Sequence, residues 1–207
     1  MTARSTAVPA PRTRPPGLWE LFGLWRASRT DPDNRFSRVV STTIVDRVAA
    51  RHGPLAGQAV ADVGTGDGTY ATVLADRGAR VVAVEYEMDY LLRSGAPPPG
   101  AVVADGRRLP LADGSMDGVV SCNVLEHTPE PYVILHDIAR VLRPGGWAVV
   151  NWTNWYSPWG GHAMTPYQFL GPRLGPRMYE RRHGPPPSNR MGVGLFALHI
   201  SPVLARL

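Results

Sequence analysis

An apolar run that breaks into three closely spaced glycines, at residues 59–68, constrains this chain more than any other stretch. It predicts a short β-strand, a loop with glycines at 64, 66 and 68, and a helix that begins near Thr69. Alternate glycines leave backbone N–H groups uncovered at a helix N-terminus, so a ligand can lie against bare backbone. The spacing is G-x-G-x-G, whereas a dinucleotide fingerprint is G-x-G-x-x-G. Asp62 would repel a pyrophosphate there and suits a positive group, such as an amino-acid ammonium.

Composition indicates a globular protein without disulfides. The 207 residues, 43% of them apolar and 19% charged, are enough for one domain with a sizeable core. No run approaches the ~18–20 apolar residues of a membrane span, and residues 1–17 lack the apolar segment of a secretory signal. Cys122 is the single cysteine, which fits a reducing compartment. We therefore expect a cytoplasmic protein whose residues 1–17 form a disordered tail.

The positive charge lies in the two flanks of the chain. Nine arginines against four acids give residues 1–60 a net charge of +5, and six against one give residues 151–207 the same. Residues 61–150 carry seven arginines and twelve acids, a net charge of −5. Basic flanks could attract an anionic substrate or make weak contact with a membrane surface, although arginine-rich codon usage explains them more simply. No nucleic-acid partner is expected, because no DNA-binding motif or aromatic RNA platform accompanies the charge.

Alternating strand and helix patterns predict an α/β fold, a Rossmann-like, doubly wound, mostly parallel sheet. The predicted strands are 59–63, 80–85, 101–104, 118–122 and 147–152, and the predicted helices between them are 69–77, 87–94 and 131–142. Helices near 18–25 and 36–48 predict an N-terminal helical cap at 18–56, before a ligand-binding core at 57–152. The tryptophans of the first helix could line a pocket, touch a membrane or pack in the core. Residues 153–207, rich in aromatics and arginine, predict a substrate cap.

Polar side chains follow the predicted strands, where ligands bind in such sheets. Glu85 can accept two hydrogen bonds from a ribose diol, and Tyr86 offers a flat surface for an adenine. Asp105 can accept a bond from an adenine amino group, and Gly106 leaves room beside it. Asn123 follows the fourth strand. Each alone could be an ordinary loop residue.

Residues 57–152 closely resemble the class I S-adenosylmethionine-dependent methyltransferases. The resemblance rests on Val-Ala-Asp-Val-Gly-Thr-Gly-Asp-Gly at 60–68, Val-Ala-Val-Glu at 82–85, Ala-Asp-Gly at 104–106 with Leu-Pro-Leu-Ala-Asp-Gly-Ser-Met-Asp at 109–117, Asn-Val-Leu-Glu-His-Thr-Pro-Glu-Pro at 123–131 and Val-Leu-Arg-Pro-Gly-Gly at 141–146. The branch most similar handles small molecules and lipids, as in quinone-pathway methyltransferases.

The resemblance implies S-adenosyl-L-methionine as the cofactor. It implies that the methionine part is held by Asp62, Gly64, Thr65, Gly66 and Gly68, the ribose by Glu85, and the adenine by Asp105 and Gly106. Asn123 would border the sulfonium, and His127 would lie near the transfer site.

The implied reaction is methyl transfer to a small-molecule or lipid-like acceptor, at an oxygen. His127 is the first candidate base because imidazole titrates near neutral pH, although it could equally be structural. His162 is the second, against the interpretation of an ordinary loop histidine. No His/Cys/Asp cluster has metal-ligand spacing, so no metal site is expected. The alternatives are a non-catalytic binding module on the same fold and a nicotinamide-dependent oxidoreductase.

The chain after residue 152 is short for this family, in which a full sheet has seven strands. Residues 192–200 could begin another element, but no room remains for a last helix and two strands. We therefore expect the final strands to be missing, with the chain truncated or a partner covering the edge of the fifth strand.

Overall fold

The computed structural model describes residues 16–28, 31, 34–93, 95–186 and 188–204. Residues 1–15 of the expected tail lie outside the described residues. The sheet has five strands, β1 (Ala59–Val63), β2 (Arg80–Glu85), β3 (Ala101–Val103), β4 (Met116–Cys122) and β5 (Leu142–Asn151), in the order β3-β2-β1-β4-β5. All pairs are parallel. The predicted α/β, Rossmann-like sheet is therefore confirmed.

Seven helices accompany the sheet in the described part of the chain. They are α1 (Leu18–Ala27), α2 (Arg35–His52), α3 (Thr69–Asp76), α4 (Met88–Leu91), α5 (Pro131–Val141), α6 (Gly171–His183) and α7 (Ile200–Leu204). Short 3₁₀ turns lie at Leu125–His127, His162–Met164 and Tyr167–Leu170. None of these described helices is long and apolar enough to cross a membrane.

The central strands are buried on both faces, which is why they are runs of Val and Ala. On one face Val60 and Val120 pack with Val45 and Leu74, from α2 and α3. On the other face the neighbouring strand residues pack with α5 and with the C-terminal segment, in a cluster that includes Ala61, Val119, Ile134, Ile138, Leu198 and Val203. Helices therefore cover both faces of the sheet. Because all the strands are parallel, their carboxyl ends lie along one edge.

Two elements differ from the sequence prediction. The helix expected at 87–94 is only the single turn α4, followed by Gly95 at φ +91° and a proline-rich turn that cannot continue a helix. Strand β5 begins at Leu142, five residues earlier than expected, because Leu142 pairs with Met116. The pairing is then irregular up to Trp147, and this stretch contains the turn that precedes Trp147.

The segment after β5 folds back over the carboxyl ends of β4 and β5 instead of adding a strand among the described residues. The N–H of Phe196 donates to the carbonyl of Glu126 at 2.8 Å, and the N–H of Trp155 donates to the carbonyl of Leu198 at 3.0 Å. Trp155, Met164 and Leu195 form a small buried cluster there. The residues expected to form a cap therefore lie beside the strand ends that carry the candidate site.

Candidate active site

The glycine loop after β1 is held in a conformation that excludes side chains at two of its glycines. Gly64, Gly66 and Gly68 all have positive φ, between +58° and +78°. A Cβ on Gly64 would lie 2.3 Å from Val124 Cγ2, and one on Gly68 would lie 2.5 Å from Pro98. A Cβ on Gly66 would meet nothing within 4 Å. Gly64 and Gly68 are thus required by packing, whereas Gly66 faces open space that a ligand can fill.

Asp62 lies beneath this loop, and its side chain shapes the turn. It is 1% exposed, and Oδ2 accepts a hydrogen bond from Thr65 Oγ1 at 2.5 Å. Burial raises the pKa of Asp62 to about 7, while the bonds from Thr65 and from the backbone of Ala71 oppose that rise. The carboxylate is therefore costly to ionise in the protein alone, and a nearby cation would favour its charged form.

Glu85 connects the end of β2 to the glycine loop. Its Oε2 accepts a hydrogen bond from the N–H of Gly66 at 2.8 Å, and its Oε1 accepts one from the N–H of Tyr86, also at 2.8 Å. The Tyr86 side chain is 66% exposed beside it. The structure thus brings together the carboxylate, the aromatic ring and the open glycine that the sequence singled out.

Asp105 is engaged by an arginine. Arg107 Nη2 lies 2.7 Å from Asp105 Oδ2, its Nε contacts both carboxylate oxygens, and its Nη1 lies 2.6 Å from Glu130 Oε2. This guanidinium lowers the pKa of Asp105 below its usual range. A Cβ on Gly106 would lie 3.3 Å from Val63 Cγ1, so packing restricts this position. An adenine amino group would have to share Asp105 with Arg107.

Asn123 turns the chain at the end of β4. It has φ +56°, and its N–H is shared between the carbonyl and the side-chain Oδ1 of Asn151, at 3.0 and 3.1 Å. The preceding Cys122 accepts a hydrogen bond from Asn151 Nδ2 at 3.1 Å. Burial raises the pKa of the Cys122 thiol to about 11, so this cysteine is not an activated nucleophile.

Three further side chains meet just beyond Asn123. Glu126 is fully buried; its Oε1 accepts the N–H of Thr153 at 2.8 Å, and its Oε2 has no hydrogen-bond partner among the described residues. His127 Nδ1 lies 2.7 Å from the carbonyl of Gly194. Because that carbonyl can only accept, Nδ1 is the donor in this contact, so in the neutral form of the ring Nε2 carries the lone pair.

His162 completes the group from a distant part of the sequence. Its ring centroid is 5.2 Å from that of His127, at an interplanar angle of 72°. Burial, with a smaller contribution from His127, lowers the pKa of His162 to about 4, so its ring is neutral. His162 Nε2 is buried without a partner in the described structure. The sequence pointed to His127 and His162 separately, but no spacing signal joined them to each other or to Glu126.

Some of the aromatic residues after β5 are buried, and others are exposed. Trp155 is 1% exposed, whereas Trp159 is 48% exposed and meets the ring of Trp25 edge-on, with centroids 5.8 Å apart. Trp19 is 83% exposed, so the interpretation of the α1 tryptophans as core is wrong for this residue. Through the contact between Trp25 and Trp159, α1 packs against the aromatic residues that follow β5.

An apolar cavity of about 560 Å³ lies along β5, apart from the glycine loop. Its walls are Ala148, Val150 and Trp152 on one side and α7 on the other, and Asn151 and Asn154 supply polar groups. It reaches the carboxyl end of β5 at Asn151.

These residues fit the cofactor that the resemblance implies. Gly66 leaves a bare backbone surface in the loop, and Glu85 lies within hydrogen-bond distance of that surface with acceptor capacity to spare. The ionisable Asp62 lies beneath. An anionic pyrophosphate would face two carboxylates here, whereas a cationic amino acid linked to a ribose would be favoured.

Comparisons with known proteins agree with this geometry. A family model described as a methyltransferase domain matches residues 61–150. An uncharacterized methyltransferase of Mycobacterium ulcerans is 38% identical over 186 residues, which cover 86% of this chain and 73% of that protein. Another, from Mycobacterium avium, is 36% identical over 193 residues, or 89% of this chain and 76% of that protein.

Solved structures share the fold. The protein BH2331 of Bacillus halodurans superposes with a TM-score of 0.54 at 20% identity, covering 80% of this chain and 67% of that one. The PH0226 protein of Pyrococcus horikoshii gives a TM-score of 0.50 at 22% identity, covering 67% and 63%. With its glycine loop, its strand-end acids and relatives more than a third identical over most of its length, the chain belongs to the class I S-adenosylmethionine-dependent methyltransferases.

Proposed function

We propose that this enzyme transfers a methyl group to an oxygen of a small-molecule or lipid-like acceptor, at the carboxyl ends of β1, β2 and β4. The observation that carries the proposal is the fixed ring of His127. Its Nδ1–H is held by the carbonyl of Gly194 at 2.7 Å, which leaves Nε2 as a hydrogen-bond acceptor. His127 follows Val124, which packs on Gly64 of the cofactor loop. These two contacts support the proposal that His127 acts as a proton acceptor near the cofactor loop.

The cofactor residues divide into contacts and supports. Gly66, beside which a side chain would meet only open space, would let the methionine part lie against the loop backbone, while Thr65 would hold the loop through its bond to Asp62. Glu85 would accept hydrogen bonds from the ribose hydroxyls. Tyr86, with its exposed ring, would lie against the adenine. Gly64 and Gly68 keep the loop packed against Val124 and Pro98.

The remaining assignments rest on charge and position. Asp62 would hold the loop and attract the ammonium group from beneath, while Asn123 would border the sulfonium. Asp105 would reach the adenine amino group only by sharing its carboxylate with Arg107, and Gly106 would serve chiefly to let the chain pack against Val63.

S-Adenosylmethionine, when bound, supplies a methyl group that its sulfonium has already activated. The protein then has to hold the acceptor in line and keep water out. Glu126 and Thr153 fasten the loop after β4 to the segment after β5, and α1 lies over that segment through Trp25. His127 Nε2 would accept the hydroxyl proton of the acceptor as the new C–O bond forms.

Two observations favour a small, largely apolar acceptor. The cavity along β5 is walled mainly by apolar side chains, with Asn151 and Asn154 as polar groups. The segment around it carries exposed aromatic rings, including Tyr156 and Trp159. These features suit a phenol, a quinol or a lipid hydroxyl better than a large polar polymer.

The test is a transfer assay with S-adenosylmethionine labelled in its methyl group. Phenols, quinols, hydroxylated lipids, amines and thiols are offered in parallel, and the products are identified by mass spectrometry. We expect label on an oxygen of an apolar acceptor, and a loss of about 10²–10⁴-fold in kcat for His127→Ala. His136→Ala, on the exposed face of α5, is the matched control.

Other outcomes would decide against the proposal. Transfer to nitrogen or sulfur alone would overturn the choice of oxygen. Tight binding of S-adenosylmethionine without turnover on any acceptor class would favour the non-catalytic module. An unchanged kcat in His127→Ala would show that His127 is not the base.

A further inference from the structure

Glu126, His127 and His162 gather three side chains that ligate metal ions, at one point of the fold. One ligand atom of each lies within 4.8 Å of the others. Glu126 and His127 come from the 3₁₀ turn after β4, and His162 comes from the turn that opens the C-terminal segment. The grouping therefore depends on the fold of that segment over the sheet edge.

Two of the three side chains have a buried polar atom without a hydrogen-bond partner among the residues that the structure describes. Glu126 Oε2 and His162 Nε2 are both buried without a hydrogen bond in the described part of the chain. Glu126 is 0% exposed. A buried carboxylate oxygen left unpaired costs on the order of 1–3 kcal/mol or more, so its retention calls for a ligand.

Each of the two histidines also has a contact at its Nδ1, and the contact of His127 is of the kind that metal-bound histidines make. His127 gives its Nδ1–H to the carbonyl of Gly194, so Nε2 is the ring nitrogen that remains to bind a metal. His162 Nδ1 lies 3.4 Å from the side-chain amide of Asn189. The amide nitrogen Nδ2 faces Nδ1 there, so metal binding through Nε2 requires the Asn189 amide to turn by 180°, which presents its oxygen to an Nδ1–H. Both His162 and Asn189 adopt positive φ, +48° and +56°, which sets this arrangement in the backbone.

From these contacts we propose that Glu126, His127 and His162 bind a divalent transition-metal ion, with Zn²⁺ as the first choice. Two imidazole nitrogens and one carboxylate oxygen are a donor set that suits Zn²⁺ and related ions, whereas Mg²⁺ and Ca²⁺ prefer oxygen ligands throughout. Tetrahedral ligands at 2.0–2.1 Å from Zn²⁺ stand about 3.3 Å apart, so the three side chains close by roughly 1.5 Å at most when the ion enters.

The ion would have one coordination position left for water or for an oxygen of the acceptor. With the ion bound, His127 would be a metal ligand and would no longer act as the base. The metal would instead stabilise the ionised acceptor oxygen, and the proton of the acceptor hydroxyl would leave to solvent. This role rests on the proposed function. Binding of the ion does not, and it is measured without cofactor or acceptor.

The experiment titrates Zn²⁺ into the full chain after treatment with a chelator and its removal. Bound metal is counted by equilibrium dialysis with elemental analysis, and Co²⁺ serves as a spectroscopic substitute through its visible absorption. We expect one equivalent of Zn²⁺ with a Kd of micromolar or below at pH 7.5, and the intense visible bands of four-coordinate Co²⁺. His162→Gln and Glu126→Gln should each weaken binding at least tenfold.

The chain has six histidines, so the controls must separate this site from surface binding. His136→Ala and His183→Ala should leave the tight equivalent in place. His162→Gln, on a partly exposed turn, guards against a folding defect in Glu126→Gln; both are checked by circular dichroism and by S-adenosylmethionine affinity. The proposal is overturned if the wild type binds no tight equivalent, or if both variants fold and keep it. Either result leaves the proposed methyl transfer standing, with His127 as base.

Discussion

The carboxylate of Glu85 accepts a hydrogen bond from the N–H of Gly66 at 2.8 Å, which fastens the end of β2 to the tip of the glycine loop. The residue expected to bind the ribose therefore also holds the backbone expected to bind the methionine part. This link makes two halves of one ligand site depend on a single side chain.

Replacing Glu85 should weaken cofactor binding through both of its contacts. We expect Glu85→Ala to raise the Kd for S-adenosylmethionine by about 5- to 150-fold, equal to about 1–3 kcal/mol for a charged hydrogen bond. Isothermal titration calorimetry measures it. Glu87→Ala, two residues on and exposed, should change the Kd less than twofold. Equal affinities of wild type and Glu85→Ala would show that the ribose lies elsewhere.

Gly64 and Gly66 should respond to alanine in different ways, because only one of them has room for a side chain. Gly64→Ala places a Cβ 2.3 Å from Val124 Cγ2 at φ +72°, so it should lower the free energy of unfolding by about 2–4 kcal/mol. Gly66→Ala meets nothing within 4 Å, so only its φ of +58° costs stability, about 1–2 kcal/mol. Its methyl group would instead fill ligand space, and affinity for S-adenosylmethionine should fall more than tenfold.

Urea unfolding and calorimetry on the same samples separate these two effects. The double variant Gly64→Ala/Val124→Ala should recover part of the lost stability, since it removes the colliding methyl groups. If Gly66→Ala binds the cofactor as the wild type does, the open side of the loop is not the ligand surface.

The sheet could be predicted from the sequence because its signals are local. Runs of Val and Ala mark strands such as 59–63 and 80–85, and their alternation with helices predicts a parallel sheet. The helix at 87–94 could not be bounded, because the apolar pattern there does not show where the proline-rich turn takes over. In the candidate site, Asp62, Glu85 and the loop glycines come together as expected.

The rest of the site depends on side-chain contacts that the spacing of apolar residues along the sequence does not predict. His162 lies 35 residues beyond His127 in the sequence, past α5 and β5, and its own φ is +48°. Arg107 occupies Asp105 because two side chains in one loop happen to face each other, which spacing alone does not distinguish from a free acid.

The helix α1 should be held mainly by the contact between Trp25 and Trp159. A ten-residue helix with no buried residue is marginal in water, so loss of this edge-on ring contact should let it open. We expect Trp25→Ala and Trp159→Ala to speed hydrogen exchange of the amides of α1 by about 2- to 10-fold, for a contact of about 0.5–1.5 kcal/mol. The double variant should add little to either single change.

Trp19→Ala is the matched control, because that ring is 83% exposed on the same helix. It should leave exchange in α1 within the scatter of the wild type. Faster exchange in Trp25→Ala but not in Trp159→Ala would mean that α1 is held by some other contact of Trp25.

The buried carboxyl group of Asp62 should make the protein less stable as the pH rises. Its pKa is about 7 in the folded chain, against an ordinary value of 3.8, so the folded state holds a proton that the unfolded state releases. The stabilising contribution is complete below about pH 4 and is lost as pH rises through 7. Asp62→Asn has nearly the shape of the protonated aspartate side chain but does not ionise. It should therefore match the wild type only below about pH 4, gain about 1 kcal/mol on it by pH 4.5, and be more stable by roughly 2–4 kcal/mol at pH 8.

Binding of the cofactor should reverse this effect, because an ammonium group near Asp62 favours the carboxylate. S-Adenosylmethionine binding at pH 6.5 should then release about three-quarters of a proton in the wild type and almost none in Asp62→Asn. Calorimetry in buffers of different ionisation enthalpy counts that proton. Asp76→Asn, on the exposed end of α3, should behave as the wild type in both experiments. Proton release that persists in Asp62→Asn would place the linked group elsewhere, and Asp62 would then act only by holding the loop through Thr65 and Ala71.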